Sequence, residues 1–256
     1  MTKVLTIALH SFKELIRKKD FYVLFFLFIG LVGFLYSESF LGVEDASRYI
    51  KDIGFSLITL FSIVIAVTFS AKQIPAELKT KTVYPLLAKP VSKAQLILGK
   101  YLGSILISIG SFTVFYACFL AAIMTKGEGA PAALLFQSYL FSVLLLCLLS
   151  AVAVLFSLSL TLSANITLTF LLYFLIRWLN NSVREVILVS EKAVSYLYTV
   201  IYYILPHFEF YDTKIRLVHM WDPLPLWVVL SVAAYTAIYV SCLLWISVSL
   251  FKRKSL

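Results

Sequence analysis

The sequence predicts an all-helical integral membrane protein with six membrane spans. Of its 256 residues, 61% are hydrophobic and only 14% are charged, against roughly 25% charged in an ordinary soluble domain. The apolar residues fall in runs close to the ~20 residues that cross the hydrocarbon core of a bilayer. Most Lys and Arg residues lie on one side of the topology that these runs define. Together the three observations exclude a soluble fold.

Residues 1–20 predict an amphipathic helix that lies along the membrane surface before the first span. Its apolar face comprises Leu5, Ala8, Leu9, Phe12, Leu15 and Ile16, and its polar face comprises Lys3, Thr6, His10, Lys13 and Arg17. Such a helix is either an anchor that positions the first span or a docking surface for a partner, and the spacing leaves both open.

The spans follow in order. Four apolar runs each form one predicted span, at residues 21–37, 53–71, 101–124 and 226–251. A fifth run, 134–176, has no charged residue over 43 positions and would extend about 64 Å as a single helix, which exceeds any bilayer. We therefore expect a break at 161–165, where short polar side chains suit a turn, and two spans in place of one.

Charge predicts the orientation. With six spans and both termini in the cytoplasm, the cytoplasmic segments contain 14 of the 22 Lys and Arg residues and only three of the 13 acidic residues. These basic residues lie beside spans, where membrane lipids and partner proteins are the expected counter-charges and nucleic acid is not. On the opposite side, the segment 181–224 includes an apolar piece, 193–205, that is too short to cross and is predicted to be re-entrant or interfacial.

The cytoplasmic loop 72–100 has the signals of a helix, a break and a second helix. Pro75 suits the first position of a short helix, and Glu77 lies in its first turn. Ser92 and Gln95 form a capping-box pattern that begins the helix of the third span. A short basic helix that projects from the bilayer could pass force to a cytoplasmic partner. A solvated loop with the usual positive charge is equally consistent with the spacing.

Catalytic and metal-binding patterns are weak. Gly99 and Lys100 lack the other residues of a phosphate-binding G-x-x-x-x-G-K-[ST] loop, although Gly99 and Gly103 have the spacing of a close helix contact. The three cysteines have no paired spacing, which disfavours a disulfide framework or a thiolate metal site. Arg177 ends the fifth span, where an arginine extends to the interface. A polar group before the last span matches no metal motif and comprises His207, Glu209, Asp212, His219 and Asp222.

Three stretches resemble the permease subunits of ATP-binding-cassette transporters of the type-two, exporter-like class. The first comprises 77–82, 86–93, Gly99, Lys100 and Gly103, the second is 205–212, and the weaker third is 250–254. With the surface helix and six spans, the pattern follows nearly the whole chain in order. His207 stands where that pattern has an asparagine.

The resemblance implies a non-catalytic exporter subunit of a bacterial or archaeal cytoplasmic membrane. It implies a homo- or heterodimer with a second permease and two separate ATPase subunits, which bind the ATP and magnesium, so that this chain holds no cofactor. Residues implied to couple to the ATPase are Glu77, Leu78, Lys79, Thr80, Thr82, Leu87, Lys89, Pro90 and Lys93. Residues implied to dock it on the surface helix are His10, Lys13, Glu14 and Arg17. Residues implied to cap the path on the outer side are Pro206, His207, Phe208, Glu209 and Asp212.

Two other classes of function stay open at the level of sequence. An ion-driven secondary transporter or channel would need ionisable residues at mid-membrane, and the predicted spans show none deep in the core. A non-transporting membrane scaffold could use the same basic loop to bind an acidic partner. The substrate is not determined by these patterns, because a fold does not decide function.

Overall fold

The computed structural model describes residues 2–17, 19–36, 46–79, 92–125, 130–189 and 205–253. These residues form helices and turns without any β-strand, which confirms the all-helical prediction. The helices are α1 (Thr2–Ile16), α2 (Lys19–Tyr36), α3 (Ala46–Lys79), α4 (Lys93–Thr125), α5 (Ala132–Ser157), α6 (Leu162–Val189), α7 (Lys214–Val218) and α8 (Leu226–Arg253), and a 3-10 helix, Phe208–Tyr211, lies between α6 and α7.

Four helices in this part of the chain are long and apolar enough to cross a membrane. They contain the segments Lys51–Pro75, Lys93–Met124, Ala132–Ser157 and Leu226–Arg253. A shorter apolar segment, Leu162–Trp178, opens α6, and α2 is an apolar helix of 18 residues. The four correspond to the predicted second, third, fourth and sixth spans.

The long uncharged run is divided into two helices as expected, but the turn comes earlier than predicted. Residues 158–161 form the turn between α5 and α6. Asn165, assigned to the break, instead lies fully buried in α6. Its amide nitrogen donates to the carbonyl oxygen of Ala153 on α5 at 2.9 Å, and its oxygen accepts from the Thr169 hydroxyl at 3.1 Å. The polar side chain therefore joins the two helices, because a buried amide needs partners.

Helix α3 lies at the centre of the bundle and packs against α2, α4, α5 and α6. Aromatic rings fill the space between three of these helices: Phe28 of α2 lies 4.0 Å from Phe115 of α4 and 5.8 Å from Phe61 of α3, between ring centroids. Large buried side chains such as Phe69 and Phe141 extend this core. Helix α8 packs on α5 and α4 at the side of the bundle.

The prediction that Pro75 begins a separate short helix is wrong. Helix α3 continues through Pro75 to Lys79. A proline inside a helix removes one backbone hydrogen bond, and packing of the neighbouring side chains can offset that loss. Ile74, 5% exposed, packs with Leu96 and Ile97 of α4 in a second cluster of buried side chains.

Two ends of the bundle matter for function. The end that contains α1, the start of α4 and the last turn of α8 is called here the α1 end. The opposite end contains the start of α3, residues 173–189 of α6 and the segment 205–226, and is called the distal end. Because consecutive long helices run in opposite directions, the segments named for each end lie at the same end of the bundle.

Candidate functional site

At the α1 end, two glycines of α4 allow α1 to approach its backbone. A methyl group at Gly99 would lie 2.7 Å from Cβ of Ile7. One at Gly103 would lie 2.7 Å from Cβ of Ser11 and 3.0 Å from the carbonyl oxygen of Ala8. Real Cβ atoms do not approach so closely, so both positions need glycine. The G-x-x-x-G spacing is therefore the packing contact that fixes α1 to the start of α4.

This contact defines which residues of α1 face α4. The side chains that α4 buries are the small ones, Ala8 at 0% and Ser11 at 1% exposure, because the glycines leave room only for a close backbone approach. Leu5 and Leu9, predicted to share the apolar face with Ala8, are 59% and 46% exposed. The predicted docking residues are exposed: His10, Lys13, Glu14 and Arg17.

The predicted capping box at the start of α4 is confirmed. The backbone N–H of Gln95 donates to the Ser92 hydroxyl at 3.1 Å, and the Gln95 side-chain oxygen accepts from the backbone N–H of Ser92 at 3.0 Å. Lys93 reaches the opposite side of this end. Its ammonium group donates to the carbonyl oxygens of Phe251 and Lys252 at 3.4 Å and lies 5.7 Å from the Phe251 ring centroid.

The other predicted coupling residues have less structural description. Glu77, Leu78 and Lys79 form the last turn of α3. The remaining predicted coupling residues lie outside the described residues: Thr80, Thr82, Leu87, Lys89 and Pro90. Nearly all of the apolar piece 193–205 also lies outside them. Among the predicted coupling residues, Lys93 is the one whose side-chain contacts the structure describes.

At the distal end, the segment 205–226 is held by hydrogen bonds to α5 and α8. His207 is 5% exposed; its backbone N–H donates to the Tyr235 hydroxyl at 3.0 Å, and its ring stacks on Phe210. The Gln137 side chain of α5 exchanges two hydrogen bonds, of 2.7 and 2.8 Å, with the backbone of Leu224. Of the predicted cap, Phe208 is also buried, while Pro206, Glu209 and Asp212 are half-buried.

Tyr211 anchors the middle of this segment. Its hydroxyl shares a 2.8 Å hydrogen bond with the Thr236 hydroxyl of α8, and the side chain is 3% exposed. Burial raises the pKa of Tyr211 to about 12, although the bond to Thr236 lowers it in part. The phenol is protonated at neutral pH, as a tyrosine ordinarily is, so its contact with α8 is a neutral hydrogen bond.

Two ion pairs connect the distal segment to the bundle. Arg177 of α6 pairs with Asp212, and its guanidinium also donates to the Tyr173 hydroxyl at 3.3 Å. Lys214 pairs with Asp52 of α3 at 2.8 Å. Arg177 does more than extend to the interface as predicted, since its side chain is turned to an acidic partner 35 positions further along the chain.

A cavity of about 210 Å³ lies beneath these ion pairs, between α3, α5, α6 and the distal segment. Its polar lining includes Arg177, Tyr173 and Lys214, and its apolar lining includes Phe55 and Phe208. No pattern in the sequence indicates this cavity. The one local signal was Arg177 itself, the first charged residue after the uncharged run 134–176.

The polar group considered as a metal site has a structural role instead. Among the described residues there is no group of three or more His, Cys, Asp or Glu side chains placed to hold a metal ion. His207 bonds to Tyr235, and Asp212 pairs with Arg177. His219 stacks on Trp221 and is exposed.

The architecture defines a polytopic helical membrane protein with a basic helix packed beside its core. The family described as ABC-2 family transporter protein matches residues 5–256, nearly the entire sequence. The chain belongs to this family, and it is a membrane component of an ATP-binding-cassette transporter. No curated protein matches the sequence.

Proposed function

We propose that this chain is the permease subunit of an exporter, paired with a second permease and driven by two separate ATPase subunits. In this proposal α2 and α6 add to the four long apolar helices to give six spans, with both termini in the cytoplasm of a bacterial or archaeal cell. ATP and magnesium bind to the partner ATPases. The family membership supports an ATPase partner in general.

The observation that supports this proposal most strongly is the glycine contact between α1 and α4. It attaches the exposed docking residues of α1 to the helix that follows the coupling segment 77–93. Because Gly99 and Gly103 leave no room between the helices, a displacement of α1 must displace the start of α4 as well.

Lys93 extends this connection to the last span. Its ammonium group contacts the carbonyl end of α8, so the start of α4 and the end of α8 are in direct contact. Closure of an ATPase pair against α1 and residues 77–93 would thus tilt α4 and α8 together and expose the transport path to the other side.

Co-purification tests this function. The chain is expressed with the genes beside it, purified through a tag on its C-terminus, and assayed for a co-purifying nucleotide-binding subunit and for ATPase activity in lipid. We expect both. A chain that purifies intact without any nucleotide-binding subunit would instead support the scaffold interpretation.

A double substitution tests the docking assignment more narrowly. We expect Glu77→Ala with Lys79→Ala to leave the fold intact and to lower the amount of ATPase that co-purifies by about tenfold, because two charged contacts are lost. The matched control is Asp222→Ala with Arg216→Ala, which removes one acidic and one basic residue at the distal end. Equal recovery of ATPase from both variants would contradict the assignment.

A further inference from the structure

We propose that the cavity at the distal end binds a phosphate-bearing amphiphile, with the phosphate at Arg177 and Lys214 and the acyl chain along Leu60 and Phe174. The inference goes beyond the proposed function, because such a site would bind its ligand in the purified chain without any ATPase.

The hydrogen-bonding groups that face the cavity are mainly donors. A guanidinium has five N–H donors, and Arg177 directs bonds to the Tyr173 hydroxyl and to Asp212. The Tyr173 oxygen accepts one of them, which leaves the phenol proton for another acceptor. Lys214 has three donors and pairs once with Asp52. A ligand that completes this set must be rich in acceptors, as a phosphate group is.

The acidic lining does not compete for such a ligand. Asp212 uses one carboxylate oxygen for Arg177 and the other for the backbone N–H of Lys214, at 3.1 Å. Asp52 contacts Lys214 from outside the cavity lining. The charged side chains that line the cavity are therefore two cations and one anion whose oxygens are already engaged. Because Asp52 beside Lys214 makes the four charges cancel, an anionic head group would be held by the remaining hydrogen-bond donors.

The apolar part of the cavity favours an acyl chain. Phe55 and Phe208 are buried at its wall, at 4% and 1% exposure, whereas Leu60 and Phe174 are 42% and 51% exposed at its margin. The volume of about 210 Å³ is below the ~300 Å³ at which pockets for drug-sized ligands begin. The cavity thus has room for a head group, and a chain would leave it between α3 and α6.

Depth in the membrane agrees with this chemistry. Arg177 is the penultimate residue of the apolar segment Leu162–Trp178. An arginine at the end of an apolar segment extends its guanidinium towards the lipid phosphates, where the hydrocarbon ends. A soluble anion would reach the same donors from water, so these donors alone do not discriminate between free phosphate and a lipid. The need for an acyl chain does.

Native mass spectrometry of the purified full-length chain tests the proposal. A short-chain phosphatidylglycerol is titrated onto the detergent-solubilised protein, and its dissociation constant is compared between variants. We expect Arg177→Met to weaken binding about tenfold and Tyr173→Phe about threefold, through lost hydrogen bonds to a charged group. The matched control is Arg216→Met, because Arg216 lies in the same segment but contacts Asp222 and Trp221 outside the cavity.

Competition distinguishes the sources of the phosphate. Displacement of the lipid by an equal concentration of inorganic phosphate would contradict the need for an acyl chain. Displacement by an uncharged alkyl maltoside would contradict the need for a phosphate group. Unchanged affinity in Tyr173→Phe would overturn the site, and this variant decides the matter if Arg177→Met unfolds. None of these outcomes depends on the ATPase, so failure here is distinct from failure of ATPase co-purification.

Discussion

The two ends of the bundle are held together by different kinds of contact. At the α1 end, two glycines bring the backbones of α1 and α4 within reach of each other, and the side chains that α1 buries in this contact, Ala8 and Ser11, are small and carry no charge. At the distal end, the segment 205–226 is held by ion pairs and by hydrogen bonds around a cavity. Close packing resists displacement within a contact, whereas polar contacts can exchange partners. The α1 end is thus suited to move as one body, and the distal end to bind and release.

The largest expected effect is at the glycine contact. We expect Gly103→Leu to lower the free energy of unfolding by about 1–3 kcal/mol, because the side chain must displace Ser11 and the Ala8 backbone. It should also lower ATP hydrolysis by the co-purified complex at least tenfold. Thermal unfolding and ATPase assays measure both.

Gly110→Leu is the matched control for that substitution. Gly110 lies on the same helix, and nothing approaches within 4 Å of the position where its Cβ would be. Its variant should unfold like the wild type. Similar losses of unfolding free energy in both variants would mean that α4 tolerates no larger side chain at either position. This would contradict a special role for the contact with α1.

The second effect is at the distal ion pairs. We expect Arg177→Met to cost about 1–2 kcal/mol, since it leaves Asp212 half-buried without its partner, and partial exposure reduces the loss. Lys214→Met should cost about 0.5 kcal/mol, because the Asp52 carboxylate is 44% exposed. Chemical unfolding compares the stability of both variants. Asp212→Asn, alone and combined with Arg177→Met, completes a double-mutant cycle for the Arg177–Asp212 pair. A larger loss from Lys214→Met would reverse the ranking.

A third effect, smaller than that of Arg177→Met, separates hydrogen bonds from ion pairs in the same segment. Gln137→Leu removes both side-chain bonds to the backbone of Leu224, and we expect a loss of about 1 kcal/mol with faster hydrogen exchange at the Leu224 amide. Exchange should not change at the Gln95 amide, which is capped at the α1 end. Uniform acceleration at both amides would indicate general destabilisation instead.

The smallest effect is expected at Lys93. Its bonds to the end of α8 are long, at 3.4 Å, so Lys93→Met should change stability by about 0.5 kcal/mol or less. Lys93→Arg keeps the charge and should behave as the wild type. If Lys93→Met reduced ATPase coupling strongly despite this small change in stability, the contact would be part of force transfer.

Local rules predicted the features that depend on neighbouring residues. The capping box of Ser92 and Gln95 needs only a spacing of three, and the division of the uncharged run needs only the thickness of a bilayer. The same kind of rule failed at Pro75. The preference of proline for the first turn of a helix predicted a new helix there, but α3 continues to Lys79, and the packing of Ile74 in the second cluster keeps this part helical.

The cavity could not be predicted, because its residues come from distant parts of the chain. Tyr173 and Lys214 line it from different helices, and no local pattern brings them together. Arg177 shows the limit clearly, since an arginine at the end of a span is usual and only the position of Asp212 reveals a second role. Asn165 is a similar case. As an asparagine it favoured a turn, but its side chain bonds to the Ala153 carbonyl oxygen on α5 and the residue lies within α6.

The two faces of α1 give this protein separate surfaces for two requirements. Ala8 and Ser11 must stay small, because Gly99 and Gly103 lie against them. Lys13 and Arg17 point away from that contact and are exposed. If this outward face docks the ATPase as proposed, substitutions on it would change which partner is recognised without any repacking of the bundle, and a lineage or an engineer would reassign the permease to a different ATPase by altering a single helix face.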